Sequence, residues 1–189
     1  MHDSFFFGYG SLVNRTTHDY AVAGPARLRG WSRRWCHTGL RELAFLSVVP
    51  DPEGAIDGLV AAVPGGDWAA LDRRESGYDR HPLDHALLQG MPGPATVQLY
   101  AVAQSRSLPD DRRHPILLSY LDVVVQGFLR EFGPEGVARF FATTGGWEAP
   151  VMDDRAAPLY PRHRRLTGEE RDMVDAALDR LGSVRIRAA

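Results

Sequence analysis

Phe5-Phe6-Phe7-Gly8-Tyr9-Gly10-Ser11-Leu12 carries an apolar strand straight into a glycine-flanked turn. Consecutive aromatic residues favour a buried strand. Gly8 and Gly10 permit backbone angles and close approaches that a Cβ blocks. Such a turn aims several backbone N–H groups at one point, which suits a carboxylate or a developing oxyanion. The bland alternative is a tight turn with a purely structural role.

The second stretch of interest is Asp72-Arg73-Arg74-Glu75-Ser76-Gly77-Tyr78. Gly65-Gly66-Asp67 reads as a stop and an N-cap, followed by a helix over Trp68–Glu75. Trp68, Leu71 and Glu75 stand at i, i+3 and i+7, so they share one face, and Arg73 and Arg74 point elsewhere. Glu75 then belongs to the apolar stripe, where desolvation raises a carboxyl pKa. That is the condition for an acid or base working near neutrality. The competing reading is a partly buried glutamate paired with Arg73, Arg74 or Arg80, since ion pairs perturb carboxylates as well. Tyr78 either faces a pocket or is a core residue with a tethered hydroxyl.

Around these motifs residues 4–103 read as strand-rich. Ser4–Phe7, Ala23–Arg29, Leu43–Val49, Ala55–Val63 and Ala95–Val102 are strand candidates between Gly, Pro and Asp punctuation. Asp57-Gly58 reads as a turn or bulge, and Pro92-Gly93-Pro94 as a turn. The character changes after Gln104. A polar loop over Ser105–His114 precedes a helix over Ile116–Phe132, with Leu117, Tyr120, Leu121, Val124 and Phe128 on one side. A shorter helix follows over Pro134–Thr143. Thr144–His163 is irregular, and Thr167-Gly168-Glu169-Glu170 is a capping box opening a last helix to about Leu181. We expect a single domain over 1–189, with a core at 4–103 and a helical C-terminal extension at 104–189 packed on it.

The chain has 189 residues, 44% of them hydrophobic, 24% charged, and a net charge of −2. Such a composition suits an ordinary globule and supplies no basic field for nucleic acid or an anionic membrane. All 22 basic residues are arginine, which excludes lysine Schiff-base chemistry and a P-loop lysine. Cys36 is the only cysteine, so no internal disulfide or multi-cysteine metal site is available, and an inert packed thiol is the expectation. Met1–Ser4 lacks a basic n-region, and no apolar run reaches membrane-spanning length, so a cytoplasmic protein is expected.

Other motifs fail on inspection. Gly8-x-Gly10 begins a dinucleotide fingerprint, but Val13 occupies its third glycine position. Ser11 is in no Gly-x-Ser-x-Gly elbow. His81 and His85 stand four apart, but Pro82 interrupts a helix and no third ligand is spaced to complete a site, so neither metal nor cofactor is expected.

Gly8-Tyr9-Gly10-Ser11-Leu12 after an N-terminal strand, with Glu75-Ser76-Gly77-Tyr78 downstream, resembles the γ-glutamylcyclotransferase superfamily, which includes AIG2-like and ChaC-like proteins. The resemblance covers 4 to about 103. It implies an α+β fold, a small mixed β-barrel of about five to seven strands flanked by helices. It also implies conversion of a small γ-glutamyl compound to 5-oxoproline with release of an amine or peptide. Tyr9, Gly10, Ser11 and Leu12 would form the substrate cradle, Glu75 would be the general acid/base, and Tyr78 would line the pocket. The tail, with Gly146-Trp147 and Asp154-Arg155 through Arg162, resembles a bacterial subgroup. There Trp147, Arg155, Tyr160 and Arg162 either close over the pocket or pin a loop to the barrel. A non-catalytic binding module and an amide hydrolase using Glu75 to activate water are the alternatives. The 116–132 stripe packs on the core or on a second subunit, so monomer and homodimer both stay open.

Overall fold

The computed structural model describes residues 4–90, 95–108 and 113–188. The turn expected at Pro92-Gly93-Pro94 lies outside them, as do Met1–Asp3 and part of the 105–114 loop.

The aromatic run forms β1 (Ser4–Gly8) in the middle of a seven-stranded mixed sheet. β1 pairs antiparallel with β3 (Arg41–Ala62) and parallel with β6 (Thr96–Ala101). β3 pairs along its length with β2 (Val22–Thr38). β4 (Asp79–Leu83) flanks β6, and β5 (Leu88–Gln89) flanks β2. The order β4-β6-β1-β3-β2-β5 curls without its ends pairing among the described residues, so the expected barrel is a half-barrel.

Strand alternation explains the three phenylalanines. Phe5 and Phe7 face the main core, while Phe6 faces the other side with Leu12, Ala61, Val63, Leu71 and Tyr100. Fully burying each phenylalanine stabilises by roughly 1.5–3 kcal/mol. The second cluster seats α1 (Ala69–Arg74) on the sheet through Leu71, which is fully buried. This contact sets where Glu75 emerges.

β2 and β3 form one long, twisted ribbon. The two separate segments expected at Leu43–Val49 and Ala55–Val63 are parts of β3, and three register shifts bend β2 against it. Asp57-Gly58 is no turn. Gly58 pairs in register with Ala26, and a Cβ there would meet the Phe7 ring at 2.3 Å, so the glycine serves close packing. Asp57 receives Arg27 at 3.0 Å and Arg139 at 2.8 Å.

The C-terminal part contains α2 (Leu118–Ala142) and α3 (Gly168–Arg180), but also short strands. α2 breaks at Gly133, where φ is +66° ahead of Pro134, as the two expected helices require. β8 (Thr144–Gly145) joins β2, while β7 (Ile116–Leu117), β9 (Val151–Asp153) and β10 (Arg185–Arg187) form a second, parallel sheet. The Thr167 side chain and Glu170 make the expected capping box. α2 is joined to β2 by the buried Arg33, which lies 4.9 Å from both the Phe128 and Phe140 rings. Its guanidinium donates to the Asp57 carbonyl at 2.9 Å and to Thr143 Oγ1 at 2.9 Å. Burial pulls its pKa down to about 9, against the pull of Asp57. Among the described residues no helix is long and apolar enough to cross a membrane.

Candidate active site

β1 ends in a 3-10 turn over Ser11–Val13, with Val13 N–H donating to the Gly10 carbonyl at 3.0 Å. Neither Gly8 nor Gly10 has a positive φ. Close approach is what demands glycine. A Cβ on Gly8 would meet Leu12 Cβ at 2.6 Å, and one on Gly10 would meet the Tyr120 hydroxyl at 2.7 Å. The carbonyl side of the turn is tied back. Thr17 Oγ1 donates to the Ser11 carbonyl at 3.0 Å, and His18 Nε2 lies 3.0 Å from the Leu12 carbonyl. Asn14 anchors the turn to α2, donating to the Val123 carbonyl at 3.0 Å. A Cβ on Gly127 would meet Asn14 N at 2.7 Å, so this glycine lets α2 close on the turn.

A small inner space of about 30 Å³ lies over this turn, lined by residues including Tyr9, Gly10, Ser11, Leu12, Glu75 and Tyr78. It shares Ser11, Leu46, Glu75, Tyr78 and Tyr120 with an outer pocket of about 210 Å³. The structure therefore brings together the five cradle and pocket residues expected from the sequence and, as a sixth, Glu75. The Tyr9 hydroxyl donates to the Tyr100 carbonyl. Tyr78 donates to the Leu46 carbonyl at 3.1 Å and packs edge-on to Phe45. Gly77 allows this, because a Cβ there would meet the Phe45 ring at 2.6 Å. Burial pushes the Tyr9, Tyr78 and Tyr120 pKa values up, so all three hydroxyls stay protonated near neutrality.

Glu75 occupies the C-cap position of α1, one residue past the end of a helix that the spacing carries through Glu75 itself. Its side chain is 16% exposed. Arg74 does not point elsewhere, as the helix spacing suggested, because the helix ends there and the backbone turns. Its side chain is 8% exposed and its Nε lies 3.2 Å from Glu75 Oε1. The same guanidinium donates to the Thr17 carbonyl at 2.9 Å and to Ser11 Oγ at 3.4 Å. Glu75 thus has both features that the sequence set against each other, a place in the pocket and an arginine partner. Burial pushes its carboxyl above the ordinary range, and Arg74 and Arg162 pull the other way.

Of the rim candidates, Tyr160 lines the outer pocket, edge-on to Tyr120 at 5.0 Å. Trp147 packs instead on Trp35, Phe140 and Phe141, away from that lining. Arg155 is held by Asp122 at 2.7 Å and Asp175 at 2.9 Å, so its charge is spent as an anchor. Sequence reasoning missed Arg41, Arg74 and Tyr120 as lining residues. Tyr120 was legible only as one polar tip in an apolar stripe. His81 stands in β4 and His85 in a following 3-10 turn, not on one helix.

A curled mixed sheet with a glycine-flanked cradle and one acid at the pocket floor defines a γ-glutamylcyclotransferase-like fold. Residues 4–111 match the family described as ChaC-like protein, and the chain belongs to that family within the γ-glutamylcyclotransferase superfamily. Among solved structures it is similar to a gamma-glutamyl cyclotransferase, at 15% identity and a TM-score of 0.59 over 92% of this chain and 99% of that one. An uncharacterized protein from Homo sapiens matches at 16% identity and a TM-score of 0.59, over 93% of this chain and 99% of that one. YkqA from Bacillus subtilis matches at 17% identity and a TM-score of 0.58, over 74% of this chain and 53% of its own.

Proposed function

We propose that the chain is a γ-glutamylcyclotransferase-like enzyme that closes a γ-glutamyl amide to 5-oxoproline, with Glu75 as general acid/base. The observation that supports this most is the position of Glu75, shared by the cradle space and the outer pocket. A γ-glutamyl group in the outer pocket, reaching toward the cradle turn, would present its α-nitrogen and its γ-amide to this one carboxylate.

The ionised carboxylate takes a proton from the α-ammonium. The freed amine attacks the γ-carbonyl carbon, a C–N bond forms, and the bond to the leaving nitrogen breaks. The ring nitrogen keeps one hydrogen. The two it gives up depart with the leaving amine as an ammonium, delivered through Glu75. No water is consumed and no protein nucleophile is acylated. Holding the chain folded back supplies proximity, and the proton transfers contribute about 10²–10⁴ in rate. Backbone N–H groups of the Gly10–Leu12 turn and the Tyr120 hydroxyl supply donors for the α-carboxylate or the oxyanion. The reaction occurs on a small soluble substrate, and the expected setting is the cytoplasm.

The test is mass-spectrometric detection of 5-oxoproline from a panel of γ-glutamyl amides and peptides, beside a folded Glu75→Gln protein. Release in the wild type alone supports the reading. Free glutamate in place of 5-oxoproline would mark a hydrolase, and no product with any substrate would leave a binding module.

A further inference from the structure

Arg74 sits between the acid and the cradle, and its side chain is buried. Its Nε lies 3.2 Å from Glu75 Oε1, and its Nη2 donates to Ser11 Oγ at 3.4 Å. Nη1 donates to the Thr17 carbonyl at 2.9 Å, and Nη2 also donates to Thr17 Oγ1 at 3.1 Å. All three guanidinium nitrogens are therefore in use. A planar fork holds these directions at once, and a lysine ammonium does not. Among the described residues no other group donates a hydrogen bond to the Glu75 carboxylate.

Thr17 is the next link. It is buried, and its Oγ1 donates to the Ser11 carbonyl at 3.0 Å while accepting from Arg74. The arginine can only donate, so the direction of the hydroxyl proton is fixed toward Ser11. Asn14 N donates to the same carbonyl at 3.1 Å, and Thr17 N donates to the Asn14 carbonyl at 2.9 Å. A continuous path of polar contacts thus runs from Glu75 through Arg74 and Thr17 to the cradle turn. Leu71 fixes where α1 sits on the sheet, but Glu75 stands beyond the last residue of that helix. Its carboxylate takes its direction from a side-chain partner. A displacement of about 1 Å in such a group is enough to lose on the order of 10² in rate.

We propose that Arg74 is a positioning residue for the cyclisation, locking the Glu75 carboxylate and the cradle turn into one frame through Thr17. It acts through Glu75 and Ser11. This deepens the cyclotransferase reading and rests on it for the reaction that is positioned. The competing role is an ion pair that only neutralises a buried acid.

The Glu75 titration separates the two. The groups that act on this carboxyl are Arg74 and Arg162, with the hydroxyls of Tyr9, Tyr20, Tyr78, Tyr100 and Tyr120 around it. Burial raises all five tyrosines, so near neutrality only the arginines carry charge toward it. Carbon-13 NMR of protein labelled at the glutamate carboxyls follows Glu75, its signal assigned by its loss in Glu75→Gln. Arg74→Gln should raise the midpoint, because the ionised form loses a cation. Thr17→Val is the sharper variant, because the Thr17 hydroxyl reaches Glu75 only through Arg74. It should raise the midpoint by less, and should add nothing in the Arg74→Gln background. Both variants should speed hydrogen exchange at the Val13 and Asn14 amides, which are bonded within the cradle turn, by about tenfold. Arg74→Lys should restore the midpoint but leave exchange fast and kcat/KM for 5-oxoproline release about tenfold down.

Circular dichroism of each variant separates a lost frame from a lost fold, and Thr17→Val with Arg74→Lys carries the test if Arg74→Gln does not fold. A Glu75 midpoint unmoved by Thr17→Val, the same effect of Thr17→Val with and without Arg74, unchanged exchange at the turn, or full turnover by Arg74→Lys would overturn the proposal. Absence of 5-oxoproline from the wild type would sink the cyclotransferase reading alone, since titration and exchange are read without turnover.

Discussion

The inner and outer halves of the pocket are built from different parts of the chain and different chemistry. The inner half, with Tyr9, Ser11, Glu75 and Tyr78, comes from the region that matches the family except for Tyr120, and apart from the Arg74–Glu75 pair its polar groups are hydroxyls and backbone. The outer half adds Leu117, Tyr160 and Arg162 from beyond that region, and Arg41 from within it. A space of one acid and several protonated hydroxyls suits proton transfer. The outer mouth carries Arg41, exposed, and Arg162, half-buried. On the proposed function the difference implies that reaction and specificity separate, and substitutions should sort accordingly.

The largest structural effect is expected at Leu71, the residue that seats α1 under the sheet. Leu71→Ala should cost about 2–5 kcal/mol in a denaturant titration, and should lower kcat more than it raises KM because Glu75 loses its platform. On the outer half, Asp154→Ala removes the acceptor for Ser119 and Leu159. It should cost about 1–3 kcal/mol for the groups left unpaired. Here KM should rise and kcat should fall little, as segment 154–162 loosens. A kcat collapse in this variant would break the division between the halves.

The smallest predicted effect joins the two. Burial raises the Glu75 pKa and Arg162 opposes that rise. In the proposed mechanism Glu75 acts first as a base, so turnover should rise with pH as its carboxyl ionises, with a midpoint above the ordinary carboxylate range. Removing Arg162 takes away a stabiliser of the ionised form, so the acid limb of kcat/KM should move to higher pH. Stability has the opposite sign. A group with a raised folded-state pKa stabilises the fold most at low pH, and that contribution fades as pH rises through the folded value. A limb that moves to lower pH in Arg162→Gln would contradict this coupling.

Much of the inner half was legible in the chain. The run of aromatics into Gly-Tyr-Gly-Ser marked β1 and its turn, and the capping box at Thr167 likewise marked its helix. The long ribbon was not legible, because Gly30, Pro50 and Gly54 read as breaks when they are bends within two paired strands. Nor were β7 to β10, which have two or three residues each and form by tertiary pairing with no periodicity of their own. Arg33 was missed as a core residue, since its burial depends on two rings and two threonines from α2 and β8. Arg74 was misread for a related reason. Helical spacing predicts where a side chain points only while the helix lasts, and this one ends at Arg74 itself. Arg162 was legible as a candidate to close over the pocket, whereas Arg41, far from it in the chain, needed the fold to be placed in the same lining.

The most direct measurement compares 5-oxoproline release from γ-glutamyl-alanine by the wild type and by Glu75→Gln protein of unchanged melting temperature. The account predicts release by the wild type and a loss of about 10²–10⁴ in kcat in the variant. Release at the wild-type rate by a folded Glu75→Gln protein would contradict it.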